Sequence, residues 1–246
     1  MRPALVTLAV ASSLLTAAPL MAQAAVALST PSVFTLTPHI GVSTFSDIVK
    51  LPVHDDGSDP DFPFDGNFSA KLGTQLTLGV SAELQPLTTR WGAFADFSRS
   101  GGDARLAIRI CDPEFGCDGN SLDAEGSQWR ASAGVTRRFP VGMTSTATLS
   151  LGAVYGKTHF EVKGANAGVP DLDESSPGVV VGSSLDFPFT RRIAIRLQLR
   201  DAMMRVKGST FARELNDSFE GSGLVVQSDD KFMNAFNFGG GVVLRW

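Results

Sequence analysis

The sequence predicts an all-β fold, an eight-stranded antiparallel up-and-down transmembrane β-barrel with four long extracellular loops and short periplasmic turns. Apolar and polar residues alternate along several stretches, most regularly over residues 68–84, where most even positions are apolar. Such alternation gives a strand one apolar face and one polar face. The stretches are joined by connections that are alternately long and short, as in barrels that cross a membrane.

The N-terminal residues have the pattern of an export signal. Arg2 precedes a largely apolar segment, residues 4–20, and Ala22-Gln23-Ala24 is a small-x-small cleavage site. We therefore expect residues 1–24 to be a cleaved signal peptide and residues 25–246 to be the barrel domain. Loss of Arg2 from the 21 basic residues leaves a mature net charge of −5 against 25 acidic residues. This sign argues against nucleic acid as a partner.

The order of the strands follows from the connections between them. The first long connection is acidic and rich in Pro, Gly and Asp, which is typical of exposed loops. The long connections are predicted at residues 46–67, 100–127, 163–177 and 205–230, and the short ones at residues 85–90, 140–143 and 188–191. The intervals from residue 33 to residue 246 are then eight strands, an even number that places both chain ends in the periplasm.

Each predicted strand has an apolar face for lipid and a more polar face for the lumen. In chain order the apolar faces carry Phe34 and Ile40, Leu76 and Leu78, Trp91 and Phe97, Ala131 and Val135, Leu149 and Leu151, Val179 and Val181, Ile195 and Leu197, and Phe236 and Val242. Within the second long connection, Leu106, Ile108 and Ile110 also alternate. Their phase is shifted after Gly101-Gly102, which predicts a bulge followed by a strand extension.

Aromatic residues near the strand ends predict two girdles at the membrane surfaces. Trp129 and Phe139 are ten residues apart on one face. This spacing is about 25 Å along the barrel axis for a tilted strand, which is the height of a barrel's apolar band. The main girdle residues are Trp91, Trp129, Phe139, Tyr155, Phe187 and Trp246.

The opposite faces predict a polar network in the lumen. Its members are Lys71, Gln75, Glu83, Asp96, Arg130, Asp186, Arg196 and Arg200. An eight-stranded barrel is only wide enough for its side chains to fill, so we expect these groups to pair into a structural plug. The alternative is a gate or narrow path for ions or small solutes.

Charge is distributed unevenly between the two ends of the predicted barrel. The long connections hold 20 of the 25 acidic residues. Basic residues gather at the short-turn end, where phospholipid headgroups would meet Arg90, Arg137, Arg138, Arg191, Arg192 and Arg245. Acidic loops among anionic lipopolysaccharide suggest bridging by divalent cations. The run Asp55-Asp56-Gly57-Ser58-Asp59 lacks the full spacing of an EF-hand, however, so we expect solvated loops and no metal or cofactor.

The two cysteines lie close together in the second long connection. Cys111 and Cys117 enclose Asp-Pro-Glu-Phe-Gly. In an exported chain such a pair favours a disulfide over a metal site, because two sulfurs are too few for a closed zinc shell. The bond would hold the tip of the loop together and stabilise the folded state by about 2 kcal/mol on the loop-entropy model.

Catalytic groups are sparse in the sequence. His159 and Glu161 share the outward face of the fifth strand with Tyr155, where His159 would face lipid of the outer leaflet. A hydrolase needs a nucleophile within reach of its base, and no serine shares this row. The His-x-Ser arrangement of the lipid A deacylase family is also absent. We therefore predict that the protein is not an enzyme, and a lipid-modifying enzyme centred on His159 and Glu161 is the third-ranked function.

The last stretch, residues 231–246, carries a family resemblance. It alternates with Phe232, Phe236, Phe238 and Trp246 on one face. A final strand with a terminal aromatic residue looks like the C-terminal signature of bacterial outer-membrane β-barrels, which usually end in Phe. The chain resembles the small eight-stranded group that includes the transmembrane domain of outer membrane protein A.

This resemblance implies several expectations about location and partners. The protein would lie in the outer membrane of a Gram-negative-type bacterium, in contact with outer-membrane lipid and lipopolysaccharide. The barrel-assembly machinery would insert it through the C-terminal strand, as a monomer. Its predicted function is that of a non-enzymatic barrel that displays acidic loops for outer-membrane stability or surface interaction. The alternative remains a narrow channel.

Overall fold

The computed structural model describes residues 32–55, 65–112, 116–142, 144–162, 172–218 and 224–246. The predicted signal peptide, residues 1–24, lies outside this part of the chain. The strands are β1 (Ser32–Phe45), β2 (Val49–Asp55), β3 (Asp65–Leu72), β4 (Gln75–Pro86), β5 (Trp91–Asp112), β6 (Gly116–Val141), β7 (Ser145–Val162), β8 (Leu172–Pro188), β9 (Ile193–Val206), β10 (Leu224–Val226) and β11 (Lys231–Arg245), and one helix, α1 (Gly208–Ser218), lies between β9 and β10. No helix in these ranges is long and apolar enough to cross a membrane.

Eight antiparallel strands close into a ring in the order β1-β4-β5-β6-β7-β8-β9-β11, and β11 pairs back with β1. At the seam, the Trp246 amide donates to the Phe34 carbonyl at 3.0 Å, and the Phe34 amide donates to the Trp246 carbonyl at 3.3 Å. The predicted eight-stranded transmembrane barrel is confirmed. The three short turns also lie where the sequence predicts them, between β4 and β5, β6 and β7, and β8 and β9.

The outer wall of the ring carries an exposed apolar band. Its members alternate with buried residues along each strand and include Phe34, Ile40, Leu76, Leu78, Val135, Leu149, Leu151, Val179, Val181, Leu197, Phe238 and Val242. Water-soluble monomers rarely expose a continuous apolar surface of this extent. The band is the face that a lipid bilayer covers. We call the end of the barrel with the long connections its upper end.

Two strands are far longer than a membrane requires. A tilted strand crosses the hydrocarbon layer in about 9–11 residues, whereas β5 has 22 residues and β6 has 26. They pair without interruption from Trp91↔Arg137 to Asp112↔Gly116. The strand extension predicted at Leu106, Ile108 and Ile110 is therefore confirmed. The rest of the long connection predicted at residues 100–127 is also more regular than an open loop, because its described residues form a hairpin that continues above the membrane.

The bulge lies in a neighbouring strand rather than after Gly101-Gly102. Both β3 and β4 pair with β5, but Leu72 pairs with Ala104 and Leu76 pairs with Gly101. Three residues, 73–75, thus face two on β5, which is a β-bulge. The uniform strand predicted over residues 68–84 is interrupted there, and the predicted bulge in the third strand was wrong.

The bulge reverses the direction in which the even positions point. Leu76 is exposed on the lipid-facing wall, whereas Phe68 and Leu72 are buried inside. Lys71 correspondingly lies on the outer surface, where its Nζ is 3.0 Å from Oδ1 of Asp47. Lys71 was predicted to lie in the lumen, and this prediction was wrong because one extra residue shifts the strand's alternation.

The upper part of the protein has an apolar core of its own. We call the cap the structure formed by β2, β3, residues 104–124 of the β5–β6 hairpin, α1 and β10. The upper ends of β7 and β8 complete its core. The buried side chains of this core include Ile48, Leu51, Val53, Phe68, Leu106, Phe160, Leu172, Phe211, Leu215 and Val226. The exposed loops predicted at residues 46–67 and 205–230 were wrong for the strands and helix that they contain.

Helix α1 seals the top of this core. Phe211, Ala212 and Leu215 are buried and recur at the spacing that puts them on one face of a helix. The Asn216 side chain donates to the Val226 carbonyl at 3.1 Å and accepts from the Val226 amide at 2.7 Å. These two bonds fix α1 to β10, which pairs with β2.

Candidate functional site

The lower half of the lumen is filled by an ionic cluster centred on Arg196. Arg196 and Asp186 are direct cross-strand neighbours on β9 and β8. The Arg196 Nε donates to Oδ1 of Asp186 at 2.6 Å, and the same guanidinium crosses the lumen to Glu83 on β4. Arg138 reaches Glu83 at 2.9 Å, and Arg245 reaches Asp186 at 3.2 Å. The central arginine and both carboxylates are buried.

A second cluster fills the middle of the lumen around Asp96. His39 Nε2 donates to Oδ2 of Asp96 at 3.0 Å, and the Ser81 hydroxyl donates to the same oxygen at 2.5 Å. Arg200 forms an ion pair with Asp96 and donates to Ser81 at 2.8 Å. Arg130 donates to the Ser43 hydroxyl at 3.1 Å. Charges that are removed from water are stable only with such partners.

The uppermost polar layer joins the lumen to the cap. Gln75 donates to the Gly126 carbonyl at 2.9 Å, and Gln128 donates to the Thr158 hydroxyl at 2.9 Å. Above them the interior becomes apolar, with Phe160 fully buried.

The space left between these side chains is small. A cavity of about 20 Å³ lies beside His39, Asp96 and Arg130, and one of about 10 Å³ lies beside Glu83 and Arg196. A cavity needs roughly 10–15 Å³ to hold one water molecule. Each of these two spaces can hold isolated water molecules, as expected of a lumen that its own side chains fill.

Seven of the eight residues predicted for the lumen lie inside the barrel, and Lys71 does not. The network also uses residues that the sequence-based set omits. These are His39, Ser43, Ser81, Arg138, Asn237 and Arg245. Most of them have the same inward parity as the predicted members, which is the signal that could have found them.

The predicted aromatic residues form two groups on the outer wall. At the lower end, Trp246 packs against Phe34 with ring centroids 5.8 Å apart, and the Arg137 guanidinium lies 5.2 Å from the ring centroids of Trp91 and Phe139. Phe187 is exposed. At the upper end, Trp129 lies between two aromatic partners, at 6.3 Å from Phe97 and 5.7 Å from Tyr155. We call Phe97, Trp129 and Tyr155 the upper aromatic cluster.

The predicted disulfide is present at the tip of the β5–β6 hairpin. Cys111 and Cys117 are cross-strand partners, with Cα atoms 3.9 Å apart, and are bonded to each other. The bond closes the last turn of a hairpin that is already paired below it. Within the residues that the structure describes, no group of three or more His, Cys, Asp or Glu side chains is placed to hold a metal ion.

Solved structures of other proteins share this architecture. No protein-family model matches the sequence, and no curated protein matches it. OprG from Pseudomonas aeruginosa has a similar structure, with a TM-score of 0.50 and 10% identity over 88% of this chain and 97% of that chain. The chain has the fold of the small outer-membrane β-barrel proteins.

Two further small outer-membrane barrels are similar to this one at lower TM-scores. Neisserial surface protein A matches with a TM-score of 0.48 and 10% identity over 88% of this chain and 99% of that chain. Ail of Yersinia pestis matches with a TM-score of 0.39 and 13% identity over 86% of this chain and 99% of that chain. At these identities the similarity concerns the fold and not the function.

One acidic side chain of this barrel is buried beneath the cap. Glu174 on β8 is buried, and its Oε1 accepts a hydrogen bond from the Lys207 amide at 3.0 Å. Burial raises the pKa of Glu174 above its ordinary value. The folded cap therefore holds this proton more tightly than the unfolded chain does. The resulting stabilisation is present at low pH and is lost as the pH rises through the folded-state pKa.

Glu174→Gln is accordingly expected to stabilise the cap near pH 7 and to have a smaller effect near pH 4. Glutamine keeps an oxygen acceptor for Lys207 without the buried charge. The measurement is hydrogen exchange of the α1 amides by mass spectrometry, with variant and wild type compared at each pH. An equal difference between the two proteins at both pH values would contradict this account.

Proposed function

We propose that this protein is an integral outer-membrane barrel that carries nothing through its lumen and acts through the cap that it holds outside the membrane. The exposed apolar band between two aromatic groups supports insertion into a bilayer. The single observation that carries the proposal is the filled interior. Buried ion pairs occupy the lower lumen, and the apolar core of the cap lies above it.

The outer surface of the cap carries several charged side chains. Beside the bulge is a groove of about 590 Å³. Leu72, Gly73, Ala104 and Ala124 form part of its lining, and the charged residues Lys71, Asp103, Arg105 and Asp123 form the rest. Some of these charges already pair with neighbours, as Lys71 does with Asp47. A groove with both signs of charge suits a polar partner that carries both donors and acceptors, such as a lipopolysaccharide headgroup. We propose contact with the outer leaflet or with the cell surroundings as the role of the cap.

The refolded protein is expected to be electrically silent in a planar lipid bilayer. A lumen blocked by Arg196 and its partners leaves ions no continuous water path. Single-channel recording at high salt tests this directly, and heat-modifiable migration on a gel verifies that the inserted protein is folded. Discrete, reproducible conductance steps from folded protein would overturn the proposal and favour the narrow channel that the sequence leaves as its alternative.

A further inference from the structure

Three polar side chains form a row across the outer wall, just above the apolar band. The register pairs Ser127 on β6 with His159 on β7, and His159 with Asp173 on β8. Directly paired residues of antiparallel strands point to the same side of the sheet. All three are more exposed than the residues on either side of them, so the row faces outward.

The histidine and the aspartate are already joined. The His159 Nδ1 donates to Oδ1 of Asp173 at 2.8 Å. This bond fixes the tautomer, because a ring that donates from Nδ1 carries its lone pair on Nε2. The hydrogen bonds of the described chain leave that Nε2 unoccupied.

Lys157 forms an ion pair with the aspartate of this pair. Its Nζ lies 2.7 Å from Oδ2 of Asp173, so each carboxylate oxygen has a partner of its own. The hydrogen bond from Lys157, followed by the one from His159, holds the pKa of Asp173 below its ordinary value. Asp173 thus remains an anion that can orient the imidazole and stabilise its protonated form.

We propose that Ser127, His159 and Asp173 form a catalytic triad that hydrolyses carboxylic esters of lipids in the outer leaflet. This activity goes beyond the proposed role of the cap. Cross-strand neighbours have Cβ atoms about 4.5–5.5 Å apart, so the Ser127 hydroxyl can reach the His159 ring by side-chain rotation. No hydrogen bond joins them in the described structure, and such contacts often tighten only when substrate binds.

The position of the row selects the substrate. Trp129 and Tyr155 of the upper aromatic cluster lie two and four residues below Ser127 and His159 along their strands, and aromatic girdles mark the depth of lipid headgroups. The row therefore lies on the water side of that depth, among the headgroups or just above them. Its substrate is then a lipid whose ester reaches the membrane surface, rather than one whose ester stays at the boundary with the acyl chains.

The outer wall has free space next to the Ser127 side chain. On its other side Ser127 pairs with Gly101 of β5, and a Cβ placed on Gly101 would meet no atom within 4 Å. The absent side chain leaves space for an ester group next to the Ser127 hydroxyl. Arg99, exposed on the same face two residues before Gly101, provides a positive charge for an anionic headgroup.

The reaction balances with water as its co-reactant. The Ser127 Oγ attacks the ester carbonyl carbon and gives its proton to His159 Nε2. The carbon–oxygen bond to the lipid alcohol breaks, and His159 returns the proton to that alcohol. Water then attacks the acyl-serine through the same histidine, which releases the fatty acid and restores Ser127. The side chains of His159 and Asp173 are 42% and 48% exposed, so water has access.

The register supplies a serine that the sequence could not assign to His159. Ser127 lay in a predicted loop, and its pairing on the neighbouring strand β6 places it beside His159. Glu161, which the sequence groups with His159 on the outward face of the fifth strand, pairs in register with Glu125.

The test uses the refolded protein in phospholipid vesicles, with a fluorescent fluorophosphonate as probe for an activated serine and released fatty acid as the activity readout. Wild type is expected to be labelled and to release fatty acid. Ser127→Ala should abolish both signals, and His159→Ala should reduce each by roughly 100-fold or more, the usual contribution of a general base.

Ser175→Ala is the matched control. Ser175 is exposed on the outer face of β8, paired with Lys157, and lies outside the row. Its removal should leave labelling and hydrolysis unchanged, and heat-modifiable migration confirms that each variant is folded. A wild type that is neither labelled nor active, or a Ser127→Ala variant that keeps both signals, would overturn the proposal.

Discussion

Replacing Arg196 with methionine is expected to lower the free energy of unfolding of the barrel by about 3–5 kcal/mol, the usual cost of removing one partner of a buried ion pair. The guanidinium holds both Asp186 and Glu83 in a lumen that excludes bulk water. Without it, two buried carboxylates face each other, with Arg138 still paired to Glu83 and Arg245 still paired to Asp186. Urea unfolding in lipid vesicles, followed by tryptophan fluorescence, measures the loss.

A matched arginine at the surface distinguishes this effect from a general loss of charge. Arg191 lies exposed in the turn between β8 and β9. Arg191→Met is expected to change the unfolding free energy by less than about 0.5 kcal/mol, as most surface substitutions do. Equal losses in the two variants would show that the ionic cluster has no special part in holding the barrel together.

Phe211→Ala is expected to open the cap while leaving the barrel closed. The Phe211 ring is 1% exposed and meets Phe160 edge-on, with centroids 6.1 Å apart. Truncation of a buried phenylalanine costs about 3–5 kcal/mol. Because α1 can detach without unpairing any strand of the ring, this cost applies to local opening of the cap.

Trypsin cleavage after Arg213 in the vesicle-embedded protein reports this opening. If cleavage follows the population of the open form, a loss of 3 kcal/mol should raise its rate by on the order of 100-fold. Heat-modifiable migration should remain that of a folded barrel. Asp217→Ala, on the exposed face of the same helix, is the control, and an equal acceleration there would mean that α1 is not held by its apolar side.

The alternation of residues predicted the membrane-spanning wall well, because lipid on one side and paired charges on the other impose opposite demands on neighbouring positions. Ile195 and Arg196 illustrate this, one exposed to lipid and the other buried in the lumen. Above the membrane the two faces of the wall have different surroundings. There the inside is apolar and the outside is water, so the same pattern of residues points the opposite way.

Phe68 and Leu78 show why the sequence alone could not reveal this change. Both are apolar, both occupy even positions, and Thr74 between them does not interrupt the pattern. Only the register against β5 shows the extra residue, and register depends on pairing between distant parts of the chain. The same non-local information was needed to place Ser127 beside His159, and for that reason the row of three was not found from the sequence.

The cap also constrains how the protein can be made. Its apolar core draws on four parts of the chain, represented by Leu51, Leu106, Phe160 and Leu215. These residues bury one another, so the core is complete only when all four parts lie on the same side of the ring. Helix α1 and β10 are followed in the chain by β11, the strand that pairs with β1 and closes the ring. The cap and the closed wall therefore depend on the same distant parts of the chain.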